Sequence, residues 1–295
     1  MRARAICVCR DESVRHVVGN ALSGAGVAVE QHDEIPAEPG EVALFVVDRE
    51  ARCACGERLR DAAAPVVVVN DDLDDDGLIS LMLEAPVSHL VRDPDDRELS
   101  VTSEKLVSGD LFGLEKYLVR PSGVGERVVT NDSEKRAAIS EVTAWAEAIG
   151  ARKPIMHRLA SVIDELLMNA LHDAPRESRP VMTMTDERRA VLRWACDDLT
   201  IAISVSDGFG ALRQRDVIDH VRRARIERGR PNEAQTDDPG AGLGLYLVLA
   251  NVASLIVNVD PGRQTEVVCL FDRAKPDRPA IASTVRSLHV FHQQS

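Results

Sequence analysis

The sequence predicts an α/β protein of two domains, and three observations carry that reading. Its 295 residues are about twice the length of an ordinary domain. Up to about residue 100, short unbroken apolar runs alternate with helix-spaced segments, as in strands buried on both faces of a parallel sheet. From Ser133 the pattern changes to long amphipathic helices, then strand pairs and a glycine-rich turn. With 44% hydrophobic and 28% charged residues, a substantial core forms and wholesale disorder is excluded.

Charge narrows the function classes. The formal net charge is -12 and only 3% of residues are aromatic, which argues against direct nucleic-acid binding, where basic patches and stacking platforms do the work. Apolar runs such as Val66–Val69 are too short to span a bilayer. The start, Met1-Arg2-Ala3-Arg4-Ala5-Ile6, has no long apolar region or cleavage signal, so a cytoplasmic protein with no membrane contact is expected. Six cysteines are then read as reduced thiols. Cys7/Cys9 and Cys53/Cys55 are spaced too closely for ordinary structural zinc, and Cys7 and Cys9 sit in an apolar run as small hydrophobes.

The first domain is set at residues 1–102. Ala5–Cys9 is an apolar strand, and Val14–Gly24 is a helix with Val14, Val17, Val18, Ala21 and Leu22 at helical spacing. Val27–Glu30 is a second strand, and Glu41–Asp48 a third that closes on an aspartate. Pro65–Val69 and His89–Arg92 complete the set. With intervening helices this is a doubly wound parallel sheet. The aspartate-rich run Asp71–Gly77 lacks the glutamate that closes a calcium loop and is read as a solvated loop.

This order resembles the receiver domain of response regulators. There an acidic pair follows the first strand, and a phosphate-accepting aspartate ends the third. Asp11 and Glu12 match the pair and Asp48 the phosphoacceptor, but Asn70 and Arg92 replace the hydroxyl and lysine of the pattern. The resemblance therefore implies a degenerate receiver scaffold, with Asp48 either a phosphoacceptor or a strand-ending turn residue.

Residues 103–126 are read as a linker, with Pro121–Gly125 as a boundary. The second domain spans 127–275. Ser133 caps a helix carrying Ala137, Ile139, Val142, Trp145, Ala146 and Ile149, which Gly150 ends. Lys153 to about Ala174 is the next helix. Its stripe of Leu159, Val162, Ile163, Leu166, Leu167 and Ala170 is flanked by Glu165, Asn169 and His172, a polar row beside the core. Ala190–Asp197 and Leu199–Asp207 form a strand pair that runs into Asp207-Gly208-Phe209-Gly210. Gly240, Gly242 and Gly244 open an apolar helix, whose backbone N–H groups suit an anion. Thr265–Leu270 is a further strand with a hydroxyl at its start.

Taken in order, these motifs resemble the histidine-kinase-like ATPase superfamily over about residues 127–272, with the closest likeness to its anti-sigma-factor serine kinase branch. Glu165–Ala174 is similar to that superfamily's asparagine box, Asp207 to its adenine-reading aspartate, and Gly240, Gly242 and Gly244 to its last glycine box. The resemblance implies an α/β sandwich with helices over one face of a mixed sheet, binding ATP with Mg2+. It implies Glu165 as the catalytic base, Asn169 as the magnesium ligand, and His172, Asp207, Gly210, Gly240, Gly242, Gly244 and Thr265 as nucleotide contacts. Phe209 departs from the pattern, standing where a glycine is usual, with Gly210 one place early. A dinucleotide fold is excluded, since Leu245 occupies the third glycine position of that fingerprint. His157 lies inside the second helix, and no phosphoacceptor helix pair precedes the domain, which argues against an autonomous histidine kinase.

The expected function is an ATP-binding signal-transduction regulator, either an Mg-ATP-dependent serine/threonine kinase or ATPase under receiver control. The alternative is a non-catalytic interaction scaffold with both folds degenerate. A regulatory protein partner is expected, and a homodimer is one open assembly. Gln214–Pro239, rich in arginine from Arg213 to Arg230, is read as a cover over the phosphates or a grip on an acidic partner. In the tail, 276–295, Ala282–Phe291 alternates enough to add an edge strand or dock on a partner.

Overall fold

The computed structural model describes residues 2–62, 64–69, 75–83, 87–92, 96–174, 189–219, 243–273 and 287–293. Asn70 and the segments 220–242 and 274–286, with Gly240, Gly242 and most of the arginine-rich stretch, lie outside the described residues. The chain divides into two units, Met1–Leu111 with Arg286–Gln294, and Phe112–Val285. Both are built from helices on sheets, which is the α/β class expected.

In the first unit, β1 (Arg4–Val8), β2 (Ala28–Gln31), β3 (Leu44–Asp48), β4 (Val66–Val69) and β5 (Val87–Val91) pair in parallel. The strand order is β2-β1-β3-β4-β5, a common doubly wound order. Both faces of β1, β3, β4 and β5 are covered, which is why their sequences do not alternate, whereas β2 at the edge is half-buried to exposed. Ala5, Cys7, Leu44, Val46, Val67 and Val69 pack with α1 (Glu12–Gly24) and with Leu99 of α4 (Asp96–Ser108). Ile6, Val8, Phe45, Val47, Val66 and Val68 are equally buried on the other face. Between β3 and β4 runs α2 (Arg49–Arg60), which buries Ala51, Cys55 and Leu59. Cys53 is exposed, because i and i+2 face different ways on a helix. A third helix, α3 (Asp75–Leu83), precedes β5.

In the second unit, β6 (Ser122–Val129), β7 (Ala190–Cys196), β8 (Thr200–Asp207), β9 (Ser254–Asp260) and β10 (Gln264–Asp272) give the order β9-β10-β8-β7-β6. Every described pairing here is antiparallel, where a mixed sheet was expected. Helices α5 (Asp132–Ala148), α6 (Lys153–Met168) and α7 (Leu243–Asn251) accompany the sheet, and α6 packs against both of the others. Leu159, Val162, Ile163, Leu166 and Leu167 of α6 are all buried, and each is worth about 1.5–3 kcal/mol relative to exposure.

Three expectations need correction. Residues 103–126 are not a plain linker: α4 continues to Ser108, a short 3-10 turn spans Leu114–Tyr117, and β6 begins at Ser122. Gly123 and Gly125 are strand residues, not turn punctuation. A Cβ on Gly123 would stand 2.6 Å from the Trp145 indole nitrogen, and one on Gly125 would stand 2.1 Å from the Trp194 ring. The cap of α5 is Asn131, whose Oδ1 accepts the Ser133 and Glu134 N–H groups at 3.0 Å; Ser133 is inside the helix. The C-terminal segment adds a strand, one of the two readings its alternation offered: β11 (Ser287–His292), antiparallel to β5 in the first unit.

Candidate functional site

The polar row on α6 is positioned by the stripe beside it. Glu165 and Asn169 are half-buried, next to Leu166, Leu167 and Ala170 in the core. At Asn169 the α-helix gives way to a π turn, Asn169–Asp173, a local widening that often marks functional positions. The Asn169 N–H is shared between the Glu165 and Leu166 carbonyls. The turn packs on β8, the strand that ends in Asp207.

Gly244, in the first turn of α7, meets this row directly. A Cβ on Gly244 would lie 2.5 Å from Glu165 Oε2 and 3.8 Å from Asn169 Oδ1. No larger residue leaves both side chains in place, so the glycine lets the start of an apolar helix approach a carboxylate and a carboxamide. His172 turns elsewhere: its Nε2 lies 3.6 Å from Asp132 Oδ1 at the start of α5, so an ion pair forms there when the imidazole is protonated.

A second cluster forms across the β8–β10 ladder, where Asp207 stands opposite Thr265. Asp207 is half-buried, and its Oδ1 accepts the Phe209 N–H at 2.8 Å. Thr265 is 3% exposed, yet its hydroxyl has no hydrogen-bond partner among the described residues. A buried hydroxyl left this way costs about 1–3 kcal/mol, and such a group needs an explanation. Phe209 packs inward at 6% exposure, so it belongs to the core. Gly210 has φ +58°, and a Cβ there would sit 2.1 Å from the Asp260 carbonyl oxygen. The Gly262 N–H donates to the Gly210 carbonyl at 3.2 Å. Seating the β9–β10 turn therefore accounts for this glycine without any ligand.

The first unit treats its aspartates differently. Asp48 is 3% exposed and caps α2. Its Oδ2 accepts the N–H of Arg10 at 2.5 Å and of Asp11 at 3.0 Å, while Oδ1 accepts the N–H of Ala51 at 2.8 Å. Asp11 caps α1 through the Ser13 and Val14 N–H groups. The Ser13 hydroxyl, together with those backbone donors, holds its carboxyl below the usual range. Cys7 and Cys9 are buried with their sulfurs 3.5 Å apart. Among the described residues no three His, Cys, Asp or Glu side chains gather as a metal site.

Two features escaped the sequence reading. Strand β9 carries the plain apolar run Leu255-Ile256-Val257 before the turn Asp260-Pro261-Gly262, a signal that was there to be used. Glu266, 4% exposed, accepts the N–H of Gly113 at 2.9 Å and the Asn258 side-chain amide at 3.0 Å. Only tertiary structure reveals that arrangement.

No protein-family model matches the chain, and none of the curated proteins does. Among solved structures, the SiaB–SiaC complex of Pseudomonas aeruginosa contains a chain similar over 52% of this one and 90% of its own length. The identity is 14% and the TM-score 0.37, a likeness too loose to carry a functional argument. No helix among the described residues is long and apolar enough to cross a membrane.

Proposed function

We propose that the second unit is an ATP-binding signalling module of the histidine-kinase-like type, closest to the anti-sigma-factor serine kinase branch, and that it acts on a regulatory protein partner. The observation that carries this reading is the meeting of Gly244 with Glu165 and Asn169, residues far apart in the chain that the motif assigns to one triphosphate site. The Thr265 hydroxyl, buried opposite Asp207 without a partner, supports it independently. A bound adenine with its water would give that hydroxyl a hydrogen-bond partner.

In this reading Asp207 accepts a hydrogen bond from the adenine amino group. Asn169 would hold Mg2+ through its carboxamide oxygen, and the ion would supply charge neutralisation for the phosphates. Gly244 keeps the first turn of α7 close enough for its N–H groups to face phosphate. Glu165, held beside Asn169, takes a proton from an attacking hydroxyl or water. The fit at the phosphate end rests on Gly244, since Gly240 and Gly242 lie outside the described residues.

A non-catalytic scaffold is the second reading, and it is favoured for the first unit. There the Asp48 carboxylate is engaged by three backbone N–H groups. Calorimetry with ATP, with and without Mg2+, separates the two readings for the second unit. Micromolar binding strengthened by Mg2+ supports the nucleotide module; no heat at millimolar ATP leaves the scaffold.

A further inference from the structure

The seam between β5 and β11 holds two histidines in direct register, His89 and His289. They are 2% and 0% exposed, with their Nδ1 atoms 3.4 Å apart. At that distance one imidazole donates and the other accepts, which requires the accepting ring to be neutral and leaves no hydrogen bond once both are protonated. The His289 Nε2 is buried without a hydrogen-bond partner among the described residues. The surroundings do not favour an added proton. Lys105 of α4 is 1% exposed, with its Nζ 3.9 Å above the Phe291 ring. Phe291 in turn lies 4.5 Å from the His89 ring, centroid to centroid, and 5.8 Å from the His289 ring. His292 follows on β11, and β4 offers only Val67 opposite His89. The nearby acid on α4 is Glu98, which accepts the Ser287 hydroxyl.

We propose that the His89–His289 pair is an acid-sensitive clasp: neutral, it holds the C-terminal strand β11 on β5, and protonated, it lets β11 go. Burial, then Lys105 and His292, lower His89 from 6.5 to about 3. Burial, then His89 and Lys105, hold His289 well below its ordinary value. Both groups are depressed in the folded state. Their contribution is therefore whole above the free-histidine value of about 6.5 and is lost as pH falls from there toward about 3. If opening frees both imidazoles, the opening equilibrium rises about a hundredfold between pH 7.5 and 5.5.

Hydrogen exchange on the full chain, corrected for intrinsic rates, tests this. The expected result is a loss of about a hundredfold in protection of residues 87–91 and 287–292 between pH 7.5 and 5.5, with β1 and β3 retaining theirs. Unchanged protection of β11 overturns the clasp, as does a loss shared equally by β1 and β3. The double variant His89→Phe with His289→Phe should keep β11 protected at both pH values. If that variant does not fold, imidazole NMR of the parent decides: both rings should stay neutral down to pH 5.5. A ring titrating near 6.5 in the folded chain overturns the proposal.

Discussion

Asp48 and Thr265 occupy comparable places, each near the end of a buried strand where its unit's motif would put chemistry. They have been treated in opposite ways. Asp48 gives both carboxylate oxygens to backbone N–H groups and starts a helix on the next residue. Thr265 is buried beside Asp207 with its hydroxyl unused. A polar group fully occupied by its own fold is stabilising and chemically quiet, whereas a buried one left without a partner costs stability and calls for a water or a ligand to complete it. At these two positions the contrast is between a motif carboxylate closed by its own backbone and a motif hydroxyl left open.

The largest expected effects test the closed parts. Gly210→Ala forces a Cβ against the Asp260 carbonyl at a positive φ, so the second unit should lose about 3 kcal/mol or more. Urea unfolding followed at Trp145 and Trp194 reads this loss, and a near-parental midpoint would show that the β9–β10 turn gives way easily. Asp48→Ala removes a helix cap and leaves two β1-side N–H groups and one α2 N–H without their acceptor. The expected loss is about 2 kcal/mol or more, confined to the first unit in hydrogen exchange. The parent exposed to acetyl phosphate should keep its mass. A phosphate on Asp48 would reverse the contrast.

Next come the open parts. Asp207→Asn should weaken ATP, ADP and adenosine alike, about tenfold or more, with little dependence on Mg2+. Asn169→Ala should weaken ATP by a similar factor only when Mg2+ is present, at a stability cost of about 1 kcal/mol, because Asn169 borders the stripe without filling it. If Asn169→Ala unfolds the unit, the polar row is structural. If both variants bind like the parent in calorimetry, nucleotide binds elsewhere or not at all.

How much of this was legible follows from the range of the forces involved. The apolar runs of β1, β3 and β4 and the stripe on α6 are local patterns, and they fold as they read. The row of Glu165 and Asn169 on the edge of that stripe follows from helical periodicity. What was misread depends on partners distant in sequence. Gly123 and Gly125 look like a turn until Trp145 and Trp194 need their space. Asp48 reads as either a phosphoacceptor or a strand-ending turn residue, and the Arg10 and Asp11 N–H groups that engage it are not visible locally. That the tail adds a strand was legible, but not that His289 meets His89 across the β5–β11 seam. Even the cap of α5 moved two residues, because Thr130 and Glu134 close around Asn131: the Glu134 carboxylate accepts the Thr130 N–H and hydroxyl at 2.8 Å.

The smallest effect discriminates most. Thr265→Val replaces a hydroxyl with a methyl of nearly the same shape, in a strand where β-branched residues fit well. The hydroxyl has no partner among the described residues, so removing it is expected to delete a desolvation cost and break no hydrogen bond. Stability without ligand should hold or rise by about 1 kcal/mol. If that hydroxyl serves adenine, nucleotide affinity should fall about three- to tenfold in the same variant. Opposite signs are the signature of a group kept for a ligand at the fold's expense. A variant that loses stability would show that the hydroxyl was paired within the fold. One that gains stability and binds ATP like the parent would make Thr265 a packing residue, and the second unit would be as closed as the first.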